Sequence, residues 1–317
     1  MSVPTPRPAP TSGAARASTD GTAGRPDTTD TAAPVVVVDS LRIHDHLQDV
    51  VAVESVTFSL RPGQALGIVG ESGSGKTITC RALLGVLPEL FEVTAGSVTI
   101  DGRDTATLSR KDWTALRGTT ISAVFQDPAT YLNPSIPVGK QLEEILRVKK
   151  GVPRRQAEEA AVALLEAVRI RDPHFVFHQY PFELSGGMLQ RILIAAAVAC
   201  EPAVLIADEA TTALDVTVQA EILDLLTDLK DRLGLALIVV SHDLAVVAQL
   251  CGEVLVMRNG VVVEQGPTEQ ILYRPEHEYT QLLLDEHHRF GLERFLRAPG
   301  DDPAASVGRG SPTEAPA

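Results

Sequence analysis

The sequence predicts an α/β fold in which helices flank a mostly parallel β-sheet, with an antiparallel β-layer on the N-terminal side and an inserted helical subdomain. Four short, almost wholly apolar runs carry this prediction, because such runs are typical of strands buried on both faces of a parallel sheet. They are ALGIVG (65–70), ISAVFQD (121–127), AVLIAD (203–208) and LALIVVSHD (235–243). Polar residues gather at their C-terminal ends, where ligands bind in open α/β sheets.

The antiparallel layer is predicted from three segments: VVVVDSLRI (35–43), VAVESVTFSL (51–60) and GSVTIDG (96–102). They combine dense β-branched residues with partial alternation, which indicates strands. Turns are expected at 61–63 and 101–102, where Arg-Pro-Gly and Asp-Gly interrupt the pattern.

Helices are predicted between the parallel strands. Segment 218–234 carries one apolar stripe at the i, i+3, i+4, i+7 spacing, made of Ile222, Leu225, Leu226, Leu229 and Leu233. Segment 154–170, RRQAEEAAVALLEAVRI, lies in a stretch with few strand signals. A helical subdomain is therefore expected at about 128–200, within a structured domain at 35–297. The Pro-, Ala-, Thr- and Gly-rich stretches 1–34 and 298–317 are expected to be disordered tails.

Composition narrows the class of protein. The 317 residues carry a formal net charge of -13 and a pI near 5.1, which argues against nucleic acid as a partner. Cys80, Cys200 and Cys251 have no C-x-x-C spacing, so neither a disulfide framework nor a zinc site is expected, and a reducing compartment fits. No apolar run reaches the roughly 20 residues that cross a bilayer, so membrane contact is expected through a partner.

The segment GESGSGKT (70–77) matches the phosphate-binding pattern G-x-x-x-x-G-K-[ST] and lies between a predicted strand and a predicted helix. Backbone N–H groups of such a loop wrap phosphates, Lys76 places a positive charge on the β and γ oxygens, and the Thr77 hydroxyl is a ligand for Mg²⁺. A chance glycine-rich turn is the alternative, which the strand and helix on either side disfavour. The candidate nucleotide-binding residues are Gly70, Glu71, Ser72, Gly73, Ser74, Gly75, Lys76 and Thr77.

Two adjacent carboxylates, Asp208 and Glu209, follow the apolar residues 203–207. Neighbouring residues past a strand end need not share a face, so Asp208 is expected to support Mg²⁺ while Glu209 polarises the attacking water. A solvated acidic turn is the alternative.

Gln126 and His242 each follow a predicted parallel strand, at the same sheet edge. Taken singly, such residues are more often structural. Together they converge on the γ-phosphate, where His242 would donate a hydrogen bond to developing charge and Gln126 would complete the metal or water shell.

A second glycine-rich segment, ELSGGMLQR (183–191), precedes the apolar helix MLQRILIAAAVAC (188–200). Ser185, Gly186 and Gly187 have the composition of an anion-binding helix N-terminus. Simple helix capping by Ser185 explains the same residues if they are taken alone.

These motifs, in this order and together with ALD at 213–215, resemble the nucleotide-binding subunits of ABC transporters over about Val35 to Leu284. The resemblance implies a P-loop NTPase core that binds ATP and Mg²⁺ and hydrolyses ATP. It also implies a head-to-tail pair of subunits, in which Ser185 and Gly187 grip the γ-phosphate of ATP bound to the partner and Asp215 faces the partner's site.

Two further segments, FQDPATYLNPSIPVGKQLEEIL (125–146) and QGPTEQILYRPEHEYTQLLL (265–284), are similar to the dipeptide, oligopeptide and nickel importer branch of that family. The branch implies that the chain energises an importer of peptides, nickel or metal chelates. In that importer two ATPase subunits, identical or paralogous, act on two transmembrane permease subunits, fed by an extracellular substrate-binding protein. It places the chain at the cytoplasmic face of the cell membrane, with the helical subdomain docked on the permease.

The sequence departs from the family where an aromatic residue usually stacks on adenine. Here LRIHDHLQD (41–49) offers His44 and His46 as the nearest planar rings, and either is equally well a surface residue. No cysteine follows Cys251, so the iron–sulfur-like cluster of some oligopeptide members is not expected.

Two alternatives remain open in the sequence. A soluble ABC ATPase of translation or DNA maintenance usually carries two ATPase units or a long coiled coil, and this chain has one P-loop and no heptad run. The ATPase subunit of a small-molecule exporter is the other, since the ATPase core does not set the direction of transport.

Overall fold

The computed structural model describes residues 32–212 and 214–290. Most of the predicted N-terminal tail (1–34), all of the predicted C-terminal tail (298–317) and Ala213 lie outside the described residues. The division of the chain into one domain and two tails therefore stays a prediction.

Ten strands form in the described residues: β1 Val36–Asp45, β2 Val50–Leu60, β3 Ala65–Val69, β4 Phe91–Ile100, β5 Arg103–Asp104, β6 Ile121–Val124, β7 Val204–Asp208, β8 Ala236–Ser241, β9 Glu253–Arg258 and β10 Val261–Pro267. The α-helices are α1 Lys76–Leu83, α2 Arg110–Leu116, α3 Pro128–Tyr131, α4 Val138–Lys149, α5 Arg154–Ala167, α6 Pro173–Phe177, α7 Gly186–Val198, α8 Val216–Leu233, α9 Leu244–Leu250, α10 Thr268–Tyr273 and α11 Glu278–Phe290.

The strands join into one mixed sheet in the order β5-β4-β1-β2-β10-β9-β3-β8-β7-β6. Strands β9, β3, β8, β7 and β6 run parallel to one another, whereas β5, β4, β1 and β2 are antiparallel neighbours. Strand β10 connects the two parts, since it is antiparallel to β9 and meets β2 in parallel at Val261 and Ser55. The predicted fold class is confirmed.

Apolar cores lie on both sides of the parallel strands. In β3, Ala65 and Val69 pack into the core formed with α4 to α9, while Leu66 and Ile68 pack into the core shared with α1 and the antiparallel strands. Gly67 lets α9 approach closely, because a Cβ there would meet the Val247 side chain at 2.0 Å. Burial on both faces explains why these strands are continuous apolar runs.

The parallel strands end at one edge of the sheet. Val124 of β6 pairs with Ala207 of β7, and Ala207 in turn pairs with Val239 of β8. Val69, the last residue of β3, pairs with Ser241, the last residue of β8. The residues that follow these strands therefore emerge side by side, which brings four segments remote in sequence to one place.

Five α-helices, α3 to α7, and no strand lie between β6 and β7. Helix α7 begins at Gly186, two residues before the predicted start at Met188. The reason is that Ser185 has extended backbone and caps the helix, so both glycines fall within its first turn.

The hairpin of β9 and β10 was not predicted. Asn259 and Gly260 form its turn with positive φ at both positions, 50° and 79°. The turn contacts the phosphate-binding segment, since the Gly260 N–H donates to the Ser74 carbonyl at 3.1 Å. The Glu54 N–H of β2 donates to the Gly260 carbonyl at 2.7 Å, so the hairpin ties β2 to that loop.

None of the helices in the described part of the chain is both long enough and apolar enough to cross a membrane.

Candidate active site

A cleft of about 440 Å³ opens between the glycine-rich loop, β2 and the β9–β10 turn. Six of the predicted site residues line it: Ser72, Gly73, Gly75, Lys76, Thr77 and Glu209. Several residues that the sequence analysis did not single out also line it, among them Val50, Val51, Phe91 and Asn259.

The loop conformation depends on glycine at two positions. Gly70 has φ of 150°, and a Cβ there would lie 2.1 Å from the Met257 carbonyl oxygen. Gly75 has φ of 101°, and its Cβ would lie 3.0 Å from the Ala52 carbonyl oxygen. Between them, the Ser74 hydroxyl is buried without a hydrogen-bond partner among the described residues. A loop with this open backbone and a buried unpaired hydroxyl fits a phosphate chain.

Lys76 lies at the bottom of the loop with 5% of its surface exposed. Its Nζ donates to the carbonyl oxygens of Gly70 at 2.7 Å and Glu71 at 2.8 Å. Burial lowers the pKa of Lys76, and the nearby carboxylates of Glu209 and Asp208 oppose that shift. An anionic phosphate placed here would stabilise the charged lysine in the same way.

Asp208 and Thr77 form a pair of oxygen donors beside the loop. The Thr77 hydroxyl donates to Asp208 Oδ1 at 3.3 Å, and the Asp208 side chain is almost fully buried. Burial raises the pKa of Asp208, and the hydrogen bond from Thr77 partly opposes the shift. A carboxylate and a hydroxyl in contact are ligands that suit Mg²⁺, so the residues present fit the predicted ion.

Glu209 turns away from its neighbour into the cleft. Its φ is 49°, in the left-handed region, and its N–H donates to the Val240 carbonyl at 2.9 Å. The carboxylate accepts a hydrogen bond of 3.4 Å from the Thr212 hydroxyl, and His242 Nδ1 lies 3.8 Å from Glu209 Oε1. The two carboxylates therefore face different surroundings, as the strand-end argument predicts.

Gln126 lies two residues beyond β6 at the same edge of the sheet, and its side chain is exposed outside the cleft lining. The structure therefore places Gln126 near the other strand ends without seating it in the cleft.

Ser185, Gly186 and Gly187 lie away from this cleft. Ser185 is the N-cap of α7, accepting a hydrogen bond of 3.4 Å from the Met188 N–H, and both Ser185 and Gly186 are exposed. Gly187 lets α7 approach α8, because a Cβ there would lie 2.7 Å from Val218 Cγ1. Within one chain these residues begin a helix and do not line the cleft that contains Lys76.

Asp215 caps α8 in a similar way, since its Oδ1 accepts from the Thr217 N–H at 3.1 Å and the Val218 N–H at 3.0 Å. The preceding Ala213 of the ALD segment lies outside the described residues.

His44 and His46, the planar rings nearest the expected adenine position, do not line the cleft. His46 Nε2 lies 2.8 Å from Glu92 Oε2, and His44 Nε2 lies 3.6 Å from Asp49 Oδ1. Phe91, at the start of β4, is the aromatic residue in the lining. Phe91 was not predicted because it lies far along the chain from 41–49, although β4 pairs with β1 and sets Phe91 opposite Asp45.

A glycine loop with a buried lysine, presented where parallel strands end beside a paired carboxylate and hydroxyl, defines the class of protein as a P-loop ATPase. Comparison with known proteins narrows the class further. Residues 53–212 match the family model described as ABC transporter, and the chain belongs to that family.

Known relatives agree with this assignment. The chain is 46% identical over 257 residues to the oligopeptide transport ATP-binding protein OppD of Salmonella typhimurium, covering 80% of this chain and 76% of that protein. It is 41% identical over 266 residues to the dipeptide transport ATP-binding protein DppD of Lactococcus lactis, covering 83% and 76%. The solved dimeric structure of the ATP-binding cassette MJ0796 bound to ADP and Pi matches with a TM-score of 0.65 and 25% identity, covering 74% of this chain and 98% of that one.

The predicted resemblance to ABC transporter ATP-binding subunits of the dipeptide, oligopeptide and nickel importer branch is confirmed, as are ATP binding and ATPase activity. The roles of individual site residues stay predictions.

Proposed function

We propose that the protein hydrolyses ATP to energise the import of peptides through a membrane permease, acting as one half of a head-to-tail ATPase pair. The observation that carries the proposal is the separation of the two phosphate-binding segments within one chain. Lys76 and Glu209 share a cleft, whereas Ser185 and Gly186 are exposed outside it.

In this proposal residues 70–77 wrap the phosphates of ATP. The backbone N–H groups and the Ser74 hydroxyl donate to phosphate oxygens. Lys76 gives up one of its two hydrogen bonds to backbone carbonyls and donates instead to the β and γ oxygens. Thr77 and Asp208 would hold Mg²⁺, with Gln126 completing its shell. When bound, the ion neutralises charge on the phosphates and polarises the γ-phosphorus.

Glu209 and His242 supply the chemistry of hydrolysis. The Glu209 carboxylate accepts a proton from the attacking water, and its left-handed backbone directs it into the cleft rather than along β7. His242, 3.8 Å from that carboxylate, donates a hydrogen bond to charge that develops on the γ-phosphate.

Pairing completes the site. Ser185 and Gly187 of one subunit contact the γ-phosphate of ATP bound to the other, with Asp215 facing the same site. The exposed N-terminus of α7 supports this role, because its first-turn N–H groups and the helix dipole favour an anion. ATP closes the pair only through contacts that the open pair lacks, so hydrolysis reopens it.

The helical region between β6 and β7 supports docking on two permease subunits at the cytoplasmic face of the cell membrane. It exposes several large apolar side chains: Tyr131, Ile136, Val148, Phe175, Tyr180 and Phe182. Ile136, Ile145 and Val148 line a shallow cleft of about 360 Å³. Apolar patches of this kind mark protein interaction sites.

Peptide cargo is proposed from the relatives, whose names specify oligopeptide and dipeptide transport. An extracellular binding protein is proposed from the resemblance to the importer branch. Mg²⁺ as the metal is proposed from the oxygen ligands of the site.

The proposal is tested by purifying tagged Glu209→Gln protein from native membranes with ATP and Mg²⁺ and identifying the co-purified chains by mass spectrometry. We expect two permease subunits and an ATPase partner, because loss of the water-activating carboxylate traps the closed pair. Recovery of ribosomal or DNA-associated chains instead would overturn the transport function and leave the ATPase activity standing.

A second variant locates the permease surface. Adding Val148→Glu to Glu209→Gln places a charge at an exposed position of the shallow cleft, and we expect the permease chains to be lost from the purified complex. Leu282→Glu is the matched control, since Leu282 is also an exposed apolar residue on a helix but lies outside this region. Equal recovery with Val148→Glu and Leu282→Glu would contradict the docking assignment.

The adenine base is proposed to rest against Phe91, beside Val50 and Val51. We expect Phe91→Ala to weaken ATP binding roughly tenfold, in line with about 1–3 kcal/mol for base–aromatic stacking, and Phe91→Tyr to preserve it. Titration of ATP and of inorganic tripolyphosphate separates the contribution of the adenine base from that of the phosphates. Tripolyphosphate has no base, so its affinity should not change. Phe182→Ala, at an exposed aromatic far from the cleft lining, is the control. If Phe91→Ala bound ATP with wild-type affinity, adenine would not stack on Phe91.

A further inference from the structure

Helix α11, the last helix of the described residues, contacts the phosphate-binding loop through Tyr279. Tyr279, with 2% of its surface exposed, accepts a hydrogen bond of 3.1 Å from the Glu71 N–H, 208 positions earlier in the chain. That N–H belongs to the peptide group that joins Gly70 to Glu71. The carbonyl of the same peptide group accepts from Lys76 Nζ at 2.7 Å. A single peptide unit of the loop is therefore held from both sides.

This peptide unit supplies one of the two carbonyl oxygens to which the phosphate-binding lysine donates, the other being that of Glu71. If the unit rotated, the Gly70 carbonyl would lose Lys76 and the Glu71 N–H would lose Tyr279 together. Gly70 has no side chain to resist the rotation, and its φ of 150° is a conformation that glycine adopts easily. The contact with Tyr279 supplies the restraint that glycine lacks.

Tyr279 is itself fixed by β9 and β10. The Arg258 guanidinium, at the end of β9, lies 4.6 Å from the centre of the Tyr279 ring. The Glu264 carboxylate of β10 accepts from the N–H groups of Glu276 at 2.9 Å and His277 at 3.2 Å. His277 Nδ1 accepts from the Tyr279 N–H at 3.1 Å, which caps the start of α11. The phenol therefore reaches the loop from a rigid support.

We propose that Tyr279 is a positioning residue for nucleotide binding, which acts by holding the Gly70–Glu71 peptide unit in the orientation that receives phosphate. The proposal rests on the assignment of residues 70–77 as the phosphate site. It makes α11 part of the nucleotide-binding machinery, although the family model matches only residues 53–212. A role confined to core packing is the competing explanation, since the Tyr279 ring is buried.

Tyr279→Phe in the full-length chain separates the two explanations, because it removes the hydroxyl and keeps the ring. We expect the dissociation constants of ATP and of inorganic tripolyphosphate to rise by the same factor, roughly 3- to 10-fold for one lost hydrogen bond. Both titrations are made at a temperature where thermal melts show wild type and variant fully folded. A packing role predicts unchanged affinity under that condition. Tyr273→Phe, at a tyrosine with 65% exposure on α10, is the control and should bind as wild type does.

Amide hydrogen exchange gives an independent measurement. Exchange in the peptide that contains Glu71 should accelerate in Tyr279→Phe, while the strands of the core keep their protection. Wild-type affinity for both ligands and unchanged exchange at Glu71 would overturn the proposal. Lys76→Ala tests separately whether residues 70–77 are the phosphate site. If Lys76→Ala also kept wild-type affinity, the phosphate site itself would be wrongly assigned. If only Tyr279→Phe kept it, the role of Tyr279 alone would be wrong.

Discussion

Glu209→Gln is expected to reduce ATP hydrolysis by about 10² to 10⁴, the range that a positioned general base contributes, while ATP binding is retained. The amide keeps the size of the carboxylate but takes no proton from water. The backbone need not change, because Gln meets the same restriction as Glu at a φ of 49°. Phosphate release and nucleotide titration on the same preparation measure both quantities.

Glu201→Gln is a closely matched control for this experiment. Glu201 also has a positive φ, 51°, but it lies on the surface and pairs with Lys150 rather than lining the cleft. It should hydrolyse ATP as wild type does. If Glu209→Gln hydrolysed ATP about as fast as wild type, Glu209 would not be the residue that activates water. If ATP binding were lost together with hydrolysis, the substitution would have damaged the loop at 70–77.

Ser185→Arg is expected to abolish hydrolysis in the assembled transporter while the isolated chain still binds ATP with wild-type affinity. Ser185 is exposed and lies outside the cleft that contains Lys76, so a long side chain there leaves the chain's own nucleotide site intact. In the pair it would occupy the space that the partner's γ-phosphate requires. Binding is measured on the purified subunit and hydrolysis on the membrane assembly.

The control is Glu269→Arg, an equally long substitution at an exposed position of α10, outside the helical region between β6 and β7. It should change neither quantity. If Ser185→Arg lowered ATP affinity in the isolated subunit, the signature segment would act on the nucleotide of its own chain and the head-to-tail arrangement would be wrong.

Much of the fold follows from local sequence. The four parallel strands are predictable because each is a continuous apolar run, which burial on two faces requires. The loop at 70–77 is predictable because its glycines, lysine and threonine are adjacent in sequence. The hairpin of β9 and β10 was missed although Asn259-Gly260, flanked by apolar residues, is a strong hairpin signal.

Other parts of the site have no local signal. Phe91 reaches the cleft only because β4 pairs with β1, and a lone phenylalanine before a strand does not reveal that pairing. The contact between Tyr279 and Glu71 joins residues 208 positions apart. The PEHEYT segment (275–280) predicts only the importer branch, because the direction of a buried hydroxyl depends on packing that a sequence pattern does not contain.

The place of β3 between β9 and β8 affects the order in which the protein folds during synthesis. Both of its neighbours, β8 and β9, come from residues 236–258. The loop that follows β3 also contacts Tyr279, which comes later still in the chain. During synthesis, the phosphate loop therefore leaves the ribosome long before the strands and the phenol that hold it. Contacts this distant in sequence slow folding, because the intervening chain must be closed into a loop first. The lining of the cleft includes Asn259 and Gly260, so the cleft is complete only after most of the described chain has emerged. ATP bound in that cleft therefore stabilises a nearly complete subunit.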